Sequence, residues 1–243
     1  MIDCKKGNYE QRLFSGGLRT WLHEGRFFWL GKTIRELGCP QNSVVELGCY
    51  NGRALRYLPR LPQRYLGIDR DQSSLDDALI AWKQYPDYTF KLSETPNELA
   101  VGEQFDIGIC METMEHLSDA SLDGYARFLA GSIRHYLFVT APNEKGLVFG
   151  AKQAGQRVYG DYYEKYTPRE FWHQLTGACH RVVHDQHKGF DYDWLIGILS
   201  KYFVVESKTG IPFTRLPPSL GFTVGIVARP KSGDDLKASG IKT

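Results

Sequence analysis

The sequence lacks the features of several classes of protein. It has no run of 18 apolar residues, and its first 14 residues, MIDCKKGNYEQRLF, contain no apolar signal-peptide core. The five cysteines form no C-x-x-C pair, so neither a disulfide framework nor a zinc knuckle is indicated. Thirty basic and 28 acidic residues leave a net charge of +2, which argues against nucleic acid as the main partner. We therefore expect a soluble cytoplasmic protein with reduced thiols and no membrane partner. The sequence gives no indication of the oligomeric state.

The length and the apolar content favour one domain. A chain of 243 residues with 42% hydrophobic residues can bury one sizeable core. We expect this domain, 1–243, to begin with N-terminal helices over 1–38, to carry a lid insertion over 146–189 and to end in a frayed tail over 231–243. Residues 18–37 place apolar side chains at helical spacing, which predicts one or two amphipathic helices.

Short apolar runs alternate with helix-length segments through the body of the chain. The runs include SVVELGC, RYLGIDRD, YTFKLS, QFDIGICM and YLFVTAP, and the helical segments include GRALRYL, SLDDALIAWKQY and 119–135. This alternation indicates a parallel sheet with helices on both faces. Near the end, YFVVESKTGIPF and LGFTVGIVARP are joined by the short TRLPPS, so we expect these two strands to pair antiparallel. Thr167 and Pro168 are typical of the start of a helix.

The stretch VVELGCYNGRAL, residues 44–55, predicts a tight turn between the first strand and its helix. Gly48 and Gly52 lie in this turn, where backbone can approach a ligand closely. A dinucleotide fingerprint would require glycine at position 50, which is Tyr50. Asp69 ends the second strand 21 residues after Gly48, where a carboxylate can accept hydrogen bonds from a ribose diol. These residues favour a nucleoside ligand without a pyrophosphate.

Four elements over residues 40–145 resemble the motifs of the class I S-adenosylmethionine-dependent methyltransferases. They are VELGCYNG, LGIDRD, FDIGICMETMEHL and YLFVTAPNE, in the order and spacing of that family. The resemblance implies an α/β fold with a Rossmann-like, doubly wound, seven-stranded sheet. Its order would be 3-2-1-4-5-7-6, with strand 7 antiparallel. It also implies S-adenosyl-L-methionine as the cofactor.

The same resemblance assigns cofactor-binding residues. Those around the methionine, ribose, adenine and sulfonium would be Glu46, Gly48, Cys49, Asn51, Gly52, Asp69, Arg70, Ser93, with Glu94 beside it, Cys110 and Met111. Three assignments have structural alternatives. Glu46 could hydrogen-bond loop amides, Ser93 could cap a helix in ETPNEL, and Arg26 could either reach the cofactor's carboxylate or be exposed on its helix.

The string METMEHL raises the question of a metal. A helical turn beginning near Met111 would place Glu112, Glu115 and His116 on one face, and these residue types can bind a divalent cation. The string resembles ubiquinone-pathway O-methyltransferases and small-RNA 3′-terminal 2′-O-methyltransferases, in which it binds a metal. Many small-molecule methyltransferases carry a similar EHL without one.

A fourth ligand would be His187, which precedes the predicted helix DYDWLIGILSKYF. An alternative register places Tyr163 there and removes the ligand. The four histidines of this region can also be read as a polar surface loop; they are His173, His180, His184 and His187. We therefore leave Mg²⁺ or another divalent cation open and assign no metal site.

The expected activity is O-methylation of a small-molecule acceptor, such as a saccharide or a secondary metabolite. A hydroxyl group needs help to lose its proton, which gives His116 or His187 the role of a base and Glu115 an orienting role. Aromatic residues of VYGDYYEKYTPREFW could line the acceptor pocket or only pack the lid onto the core.

Two other functions stay open. An RNA ribose 2′-O-methyltransferase would use the N-terminal segment, which has seven basic residues and three acidic ones. The basic residues are Lys5, Lys6, Arg12, Arg19, Arg26, Lys32 and Arg35, and the acidic ones are Asp3, Glu10 and Glu24. A non-catalytic cofactor-binding module would use the same fold without the chemistry.

Overall fold

A seven-stranded sheet forms the centre of the protein. The computed structural model describes residues 17–99, 102–159, 165–183 and 188–232, together with Asp235. The strands are β1 (Ser43–Leu47), β2 (Arg64–Asp69), β3 (Tyr88–Leu92), β4 (Phe105–Met111), β5 (Ile133–Pro142), β6 (Phe203–Ile211) and β7 (Thr223–Pro230). Their order is β3-β2-β1-β4-β5-β7-β6. Strands β1 to β5 are parallel, and β7 is antiparallel to both β5 and β6. The predicted order and the antiparallel seventh strand are confirmed.

Helices cover both faces of this sheet. They are α1 (Leu18–Leu37), α2 (Gln72–Ala81), α3 (Asp119–Ser132), α4 (Gly146–Tyr159), α5 (Pro168–Leu175) and α6 (Tyr192–Leu199). One buried apolar cluster contains residues of α3 and α6, and a second contains residues of α1 and α2. Each cluster packs on one face of the sheet, which is the doubly wound arrangement that the alternating sequence predicts.

The structure corrects three details of the helix prediction. The segment GRALRYL forms a short 3₁₀ helix, Arg53–Tyr57, because the chain enters it from the left-handed Gly52 and is extended again at Leu58. Helix α3 ends at Ser132 and not at His135, because Ile133 already pairs with Phe105 of β4. Residues 18–37 form one helix, and its polar face is incomplete, since Trp21 and Phe28 are exposed.

Helix α5 begins as predicted. The Thr167 hydroxyl accepts a hydrogen bond from the Glu170 backbone N–H (3.2 Å), and the Glu170 carboxylate accepts one from the Thr167 N–H (2.9 Å). This reciprocal capping box, with Pro168 at the first helical position, fixes the start of the helix.

Strands β6 and β7 are joined by a loop that is anchored to the end of β5. The side-chain amide of Asn143, which is fully buried, donates hydrogen bonds to the carbonyls of Ser219 (3.0 Å) and Gly221 (2.9 Å). Its backbone N–H bonds the Phe222 carbonyl at 3.1 Å. This anchor holds the β6–β7 loop over the carboxyl end of β5.

Among the described residues, no helix combines the length and the apolar character that crossing a membrane requires.

Candidate functional site

The turn after β1 requires glycine at position 48. Gly48 has a φ of 74°, and a Cβ added there would lie 2.0 Å from the Thr113 hydroxyl oxygen. Its N–H and that of Cys49 both bond the Ile68 carbonyl of β2, at 2.8 and 3.1 Å. The turn is therefore pressed between the ends of β2 and β4, and any side chain at Gly48 would push them apart.

Asp69 lies beside this turn at the end of β2. One carboxylate oxygen accepts the Tyr50 backbone N–H at 2.8 Å, and the other accepts the Asp71 N–H at 3.0 Å. A carboxylate oxygen can accept two hydrogen bonds, so each oxygen keeps a site for a ligand hydroxyl. Asp69 thus holds the glycine turn and also faces the space above it.

A cavity of about 460 Å³ opens above the carboxyl ends of β1, β2 and β4. It is lined by two residues predicted to bind the ribose and adenine, Asp69 and Arg70, and by the turn of Gly48 and Cys49. The other predicted residues that line it are Arg26, Glu46, Ser93, Glu94, Met111, Glu112, Glu115 and His116. The volume and position are those of a small-molecule site in an open α/β sheet.

Glu46 forms part of the cavity floor and is 2% exposed. Its carboxyl accepts a hydrogen bond from the Tyr65 hydroxyl, a side-chain partner in place of the loop amides considered from the sequence. Burial raises the pKa of Glu46 to about 8, and the Asp69 carboxylate adds to the rise while the Tyr65 hydrogen bond opposes it. At neutral pH the carboxyl group is therefore mostly neutral.

Glu115 is the second buried acid of the site. It is 1% exposed, and neither of its carboxyl oxygens has a hydrogen-bond partner among the described residues. Burial raises its pKa well above the usual range, and the neighbouring Glu112 raises it further, whereas Arg26 lowers it. The Nε2 atom of His116 lies 3.9 Å from a Glu115 oxygen, and the His116 side chain is one-third exposed.

Arg26 brings a positive charge to the same cavity from α1. Its Nε atom is buried without a hydrogen-bond partner among the described residues, and its guanidinium lies 5.0 Å from the Phe27 ring centre. One Glu112 oxygen is buried and unpartnered in the same way. Buried polar atoms without partners are costly, so this end of the cavity has the chemistry to receive a polar ligand.

The local backbone differs from the predicted helical turn at METMEHL. Glu112 has a φ of 50°, and only Met114–His116 is helical, as a 3₁₀ turn. Glu112, Glu115 and His116 nevertheless line one cavity. Over the described ranges, no three or more His, Cys, Asp or Glu side chains are grouped to hold a metal ion, and His187 lies outside those ranges. The described residues do not fit a metal centre, and we derive no step through a metal.

Three predicted cofactor residues do not line the cavity. Cys110 is fully buried in the cluster of α3 and α6, on the opposite side of β4 from Met111, because successive strand residues point to opposite faces. Asn51 and Gly52 lie behind the turn, where Trp82 donates a hydrogen bond to the Asn51 carbonyl at 3.2 Å. Gly52, with a φ of 71°, is needed for the turn and for Trp82, since a Cβ there would lie 2.6 Å from the indole nitrogen.

Ser93 follows β3 and is 4% exposed. Its hydroxyl donates to the Thr95 carbonyl at 2.8 Å, and its backbone N–H donates to the Asp69 carbonyl at 3.0 Å. The alternative that Ser93 caps the next helical turn is wrong, because Thr95 precedes the 3₁₀ helix Pro96–Glu98.

Several cavity residues were not found from the sequence. They are His23 and Phe27 of α1, Tyr50 and Arg53 of the glycine turn, Thr113, and Leu117, Ser118, Ser121 and Tyr125 at the start of α3. The spacing of Ser118, Ser121 and Tyr125, at i, i+3 and i+7, is a helical signal that could have indicated that they share one face of the helix. No local pattern in the sequence indicates that His23 lies near the ends of strands that come tens of residues later in the chain.

The aromatic residues of the predicted lid mostly pack against each other. Phe149 is fully buried, with its ring centre 5.0 Å from Tyr166 and 5.2 Å from Phe171, whereas Trp172 is 62% exposed. Tyr162, like Tyr163, lies outside the described residues. Of the described part of 146–189, no residue lines the large cavity; α4 and α5 line a separate cavity of about 280 Å³. These contacts favour the packing alternative for the described aromatic residues.

Solved structures define the class of the fold. The chain matches a methyltransferase from Clostridium acetobutylicum, described as S-adenosylmethionine-dependent, with a TM-score of 0.64 and 11% identity over 94% of this chain and 98% of that one. It also matches the methyltransferase domain of the bacterial protein CtHen1, with a TM-score of 0.59 and 17% identity over 86% of this chain and 99% of that one. The fold is therefore that of the class I S-adenosylmethionine-dependent methyltransferases.

Two curated relatives are similar to this chain in amino-acid sequence. A ubiquinone biosynthesis O-methyltransferase of Acinetobacter baumannii is 26% identical over 204 residues, which cover 76% of this chain and 84% of the relative. One of Bradyrhizobium diazoefficiens is 31% identical over 93 residues, and this match spans only 36% of the relative. No family model matches the chain. The chain therefore has the fold of these methyltransferases and is similar in sequence to proteins named as ubiquinone biosynthesis O-methyltransferases.

Proposed function

We propose that this protein transfers a methyl group from S-adenosylmethionine to a hydroxyl group of a small-molecule acceptor. One observation carries the proposal: a single cavity is lined by the Gly48 turn, by Asp69 and by the buried Glu115 beside His116. The acid that we propose to bind the ribose and the histidine that we propose as the base therefore line one cavity. The curated relatives named as O-methyltransferases support the type of reaction.

The cofactor half of the cavity fits the methyl donor. The bound sulfonium would supply an activated methyl group, so the protein needs to position the reactants and exclude water. The free acceptor sites on the Asp69 oxygens suit the ribose hydroxyls, and the Gly48 turn lets backbone approach the sugar. The unpartnered Arg26 Nε suits the cofactor's carboxylate.

The other half of the cavity suits a hydroxyl acceptor. His116 is the described residue that we propose as the base, and its partly exposed ring can exchange a proton with solvent after each turnover. A Glu115 oxygen lies 3.9 Å from the Nε2 atom of His116, and we propose that this carboxyl group orients the ring when the acceptor is bound. His187 remains a candidate for a second base, outside the described residues.

A saccharide or another secondary metabolite is the acceptor class that we propose to test first. The nearly balanced charge of the chain, +2, favours such a molecule over an RNA end. A cavity of about 460 Å³ also has the size of small-ligand sites.

Calorimetry with S-adenosylhomocysteine tests the cofactor half. We expect Asp69→Asn to weaken binding by roughly tenfold or more, because a ligand hydrogen bond to a charged group is lost. Asp76→Asn, an exposed acid on α2, is the matched control and should leave the affinity unchanged. Undiminished affinity in Asp69→Asn would contradict the assigned sugar contact, and an absence of binding to the wild type would contradict the function.

Turnover measurements test the catalytic half. Release of S-adenosylhomocysteine would be followed with a methyl glycoside, a phenol and an RNA oligonucleotide, each before and after chelation and with added Mg²⁺ or Mn²⁺. Glu115→Gln and His116→Ala should lower turnover and leave cofactor affinity intact. A non-catalytic module would bind the nucleoside and release no product with any acceptor.

A further inference from the structure

One side of helix α1 faces solvent although it carries large aromatic side chains. Trp21 and Phe28 are 47% and 60% exposed, and they lie seven residues apart. At 3.6 residues per turn, this spacing places the two side chains on one line along the helix. Phe28 is this exposed even though its ring centre lies 5.3 Å from that of Tyr57. Aromatic side chains contribute most of the energy of many protein interfaces, so this side of α1 has the composition of a contact surface.

The β6–β7 loop widens this apolar surface at the Trp21 end. Phe213 is exposed, and its ring meets the Trp21 ring edge to face, with 5.8 Å between the ring centres. Leu216 is exposed in the same turn of the loop, where its backbone N–H bonds the Phe213 carbonyl at 2.9 Å. Single exposed apolar residues are ordinary, whereas adjoining ones mark an interaction site.

Charged residues accompany the aromatic side chains on the same side of the helix. At about 100° per residue, five residues of α1 fall within about 40° of the Phe28 direction, and we call them the α1 face. They are Trp21, Glu24, Phe28, Lys32 and Arg35. Their order is symmetrical about Phe28, because the acid and the lysine lie four residues to either side and the tryptophan and the arginine seven. The α1 face can therefore complement a second copy of itself.

An antiparallel pair of such faces satisfies every one of these residues. With a two-fold axis beside Phe28, the Phe28 rings of the two copies stack, Glu24 of each copy meets Lys32 of the other, and each Trp21 ring meets an Arg35 guanidinium. Each charged contact occurs twice, because a two-fold interface uses the same surface on both copies. A parallel pair would instead place Glu24 on Glu24 and Lys32 on Lys32, so the charges select the antiparallel arrangement.

We propose that the α1 face is a homodimer interface, along which two copies of this chain pair antiparallel. The inference goes beyond methyl transfer and does not depend on it, because His23 and Arg26 line the cavity from the opposite side of α1. The second copy would brace the helix that carries this wall of the cavity. Pairing along a helix of 20 residues buries an area at the low end of stable interfaces, so the dimer should dissociate reversibly.

Sedimentation velocity measures the pairing over protein concentrations from about 1 to about 100 µM. Phe28→Glu places two carboxylates together at the two-fold axis and should keep the protein monomeric throughout this range. Ile80→Glu is the matched control, because Ile80 is an equally large exposed apolar residue on α2. It should dimerise like the wild type. Thermal unfolding at the lowest concentration checks that both variants are folded.

Reversing the charges tests the antiparallel arrangement. Glu24→Lys and Lys32→Glu each create two like-charged contacts, and each variant alone should dimerise at least about tenfold more weakly than the wild type. An equimolar mixture of the two should recover the dimer, since every contact between the different chains is again between opposite charges. The single variants also lose contacts within their own chain, of Glu24 with the Tyr57 hydroxyl at 3.2 Å and of Lys32 with Glu36 at 3.7 Å. Recovery in the mixture cannot come from those contacts.

A wild type that stays monomeric at the highest concentration would overturn the inference. So would a Phe28→Glu variant that dimerises as well as the wild type, or a mixture of the charge variants that recovers nothing. If the monomeric wild type floats with phosphatidylglycerol vesicles, the face meets a lipid surface and the homodimer is refuted in the same way. Binding of S-adenosylhomocysteine is measured separately, so the proposed function can stand when the dimer fails, and the reverse.

Discussion

Replacing Glu46 by glutamine should stabilise the protein relative to the wild type. The difference in unfolding free energy between the two proteins should grow as the pH rises. Glu46 is buried and bonded to the Tyr65 hydroxyl, and its pKa is raised from 4.5 to about 8, chiefly by burial. Between these two pKa values, the folded state therefore keeps the proton on Glu46, whereas the unfolded state releases it. The contribution of protonated Glu46 to the stability of the wild type is fully present below pH 4.5, and it declines as the pH rises toward 8. Glutamine keeps an oxygen that can accept the Tyr65 hydrogen bond, and it has no proton to lose.

The magnitude follows from the difference between the two pKa values. Each pH unit between them costs the wild type about 1.4 kcal/mol of unfolding free energy. Counting the partial titration near pH 5, Glu46→Gln should gain roughly 2 to 3 kcal/mol over the wild type between pH 5 and pH 7. The full difference, reached above pH 8, would be about 5 kcal/mol.

Urea unfolding at pH 5, 6, 7 and 8, at constant ionic strength, measures this difference. Glu36→Gln is the control, because the Glu36 side chain is 63% exposed on α1 and pairs with Lys32 in a helical i,i+4 contact. Its difference from the wild type should stay flat within about 0.5 kcal/mol. A similarly flat difference for Glu46→Gln would refute the reasoning, since the carboxyl group would then titrate normally in the folded protein.

Other changes test the packing around the site. Gly48→Ala should lower the unfolding free energy by about 2 kcal/mol or more, because of its positive φ and the 2.0 Å approach to the Thr113 hydroxyl, and Thr113→Ala should restore part of the loss. Full stability of the single variant in a thermal melt would contradict the close packing. Asn143→Ala should cost about 2 kcal/mol and speed hydrogen exchange in the β6–β7 loop, because two loop carbonyls lose their donor; unchanged exchange would count against the anchor. Asp106→Ala should cost a similar amount, because its carboxylate accepts the N–H groups of Asn42 (2.7 Å) and Ser43 (3.1 Å); a melting temperature equal to the wild type's would argue against this role.

The sheet and the meeting of Gly48 with Asp69 at one cavity could be predicted because they depend on local rules. Apolar runs of strand length alternate with helical segments, and parallel strands bring their carboxyl ends to one edge. Gly48 and Asp69 follow two such strands, so their meeting at one cavity needed no knowledge of side-chain packing.

The errors come from backbone details and from distant contacts. Cys110 and Met111 were both assigned to the site, but successive residues of a strand point to opposite faces, so Cys110 points away from the cavity that Met111 lines. The positive φ values of Tyr50 and Glu112 are imposed by their surroundings, since neither residue type favours them.

The packing of helix α1 against the last strand has a consequence for the synthesis of the protein. The cavity is lined by three residues of α1, near the start of the described chain: His23, Arg26 and Phe27. The same helix packs against β7, since a Cβ at Gly225 would lie 2.5 Å from the Trp29 ring. During translation α1 emerges about 190 residues before β7, and until then it can pack on Tyr57, whose ring stacks on Phe27 at 5.0 Å, but not on the last strand. A ribosome-bound chain that lacks β7 would thus hold this wall of the cavity by fewer contacts, and we expect it to bind the proposed nucleoside ligand more weakly than the finished protein does.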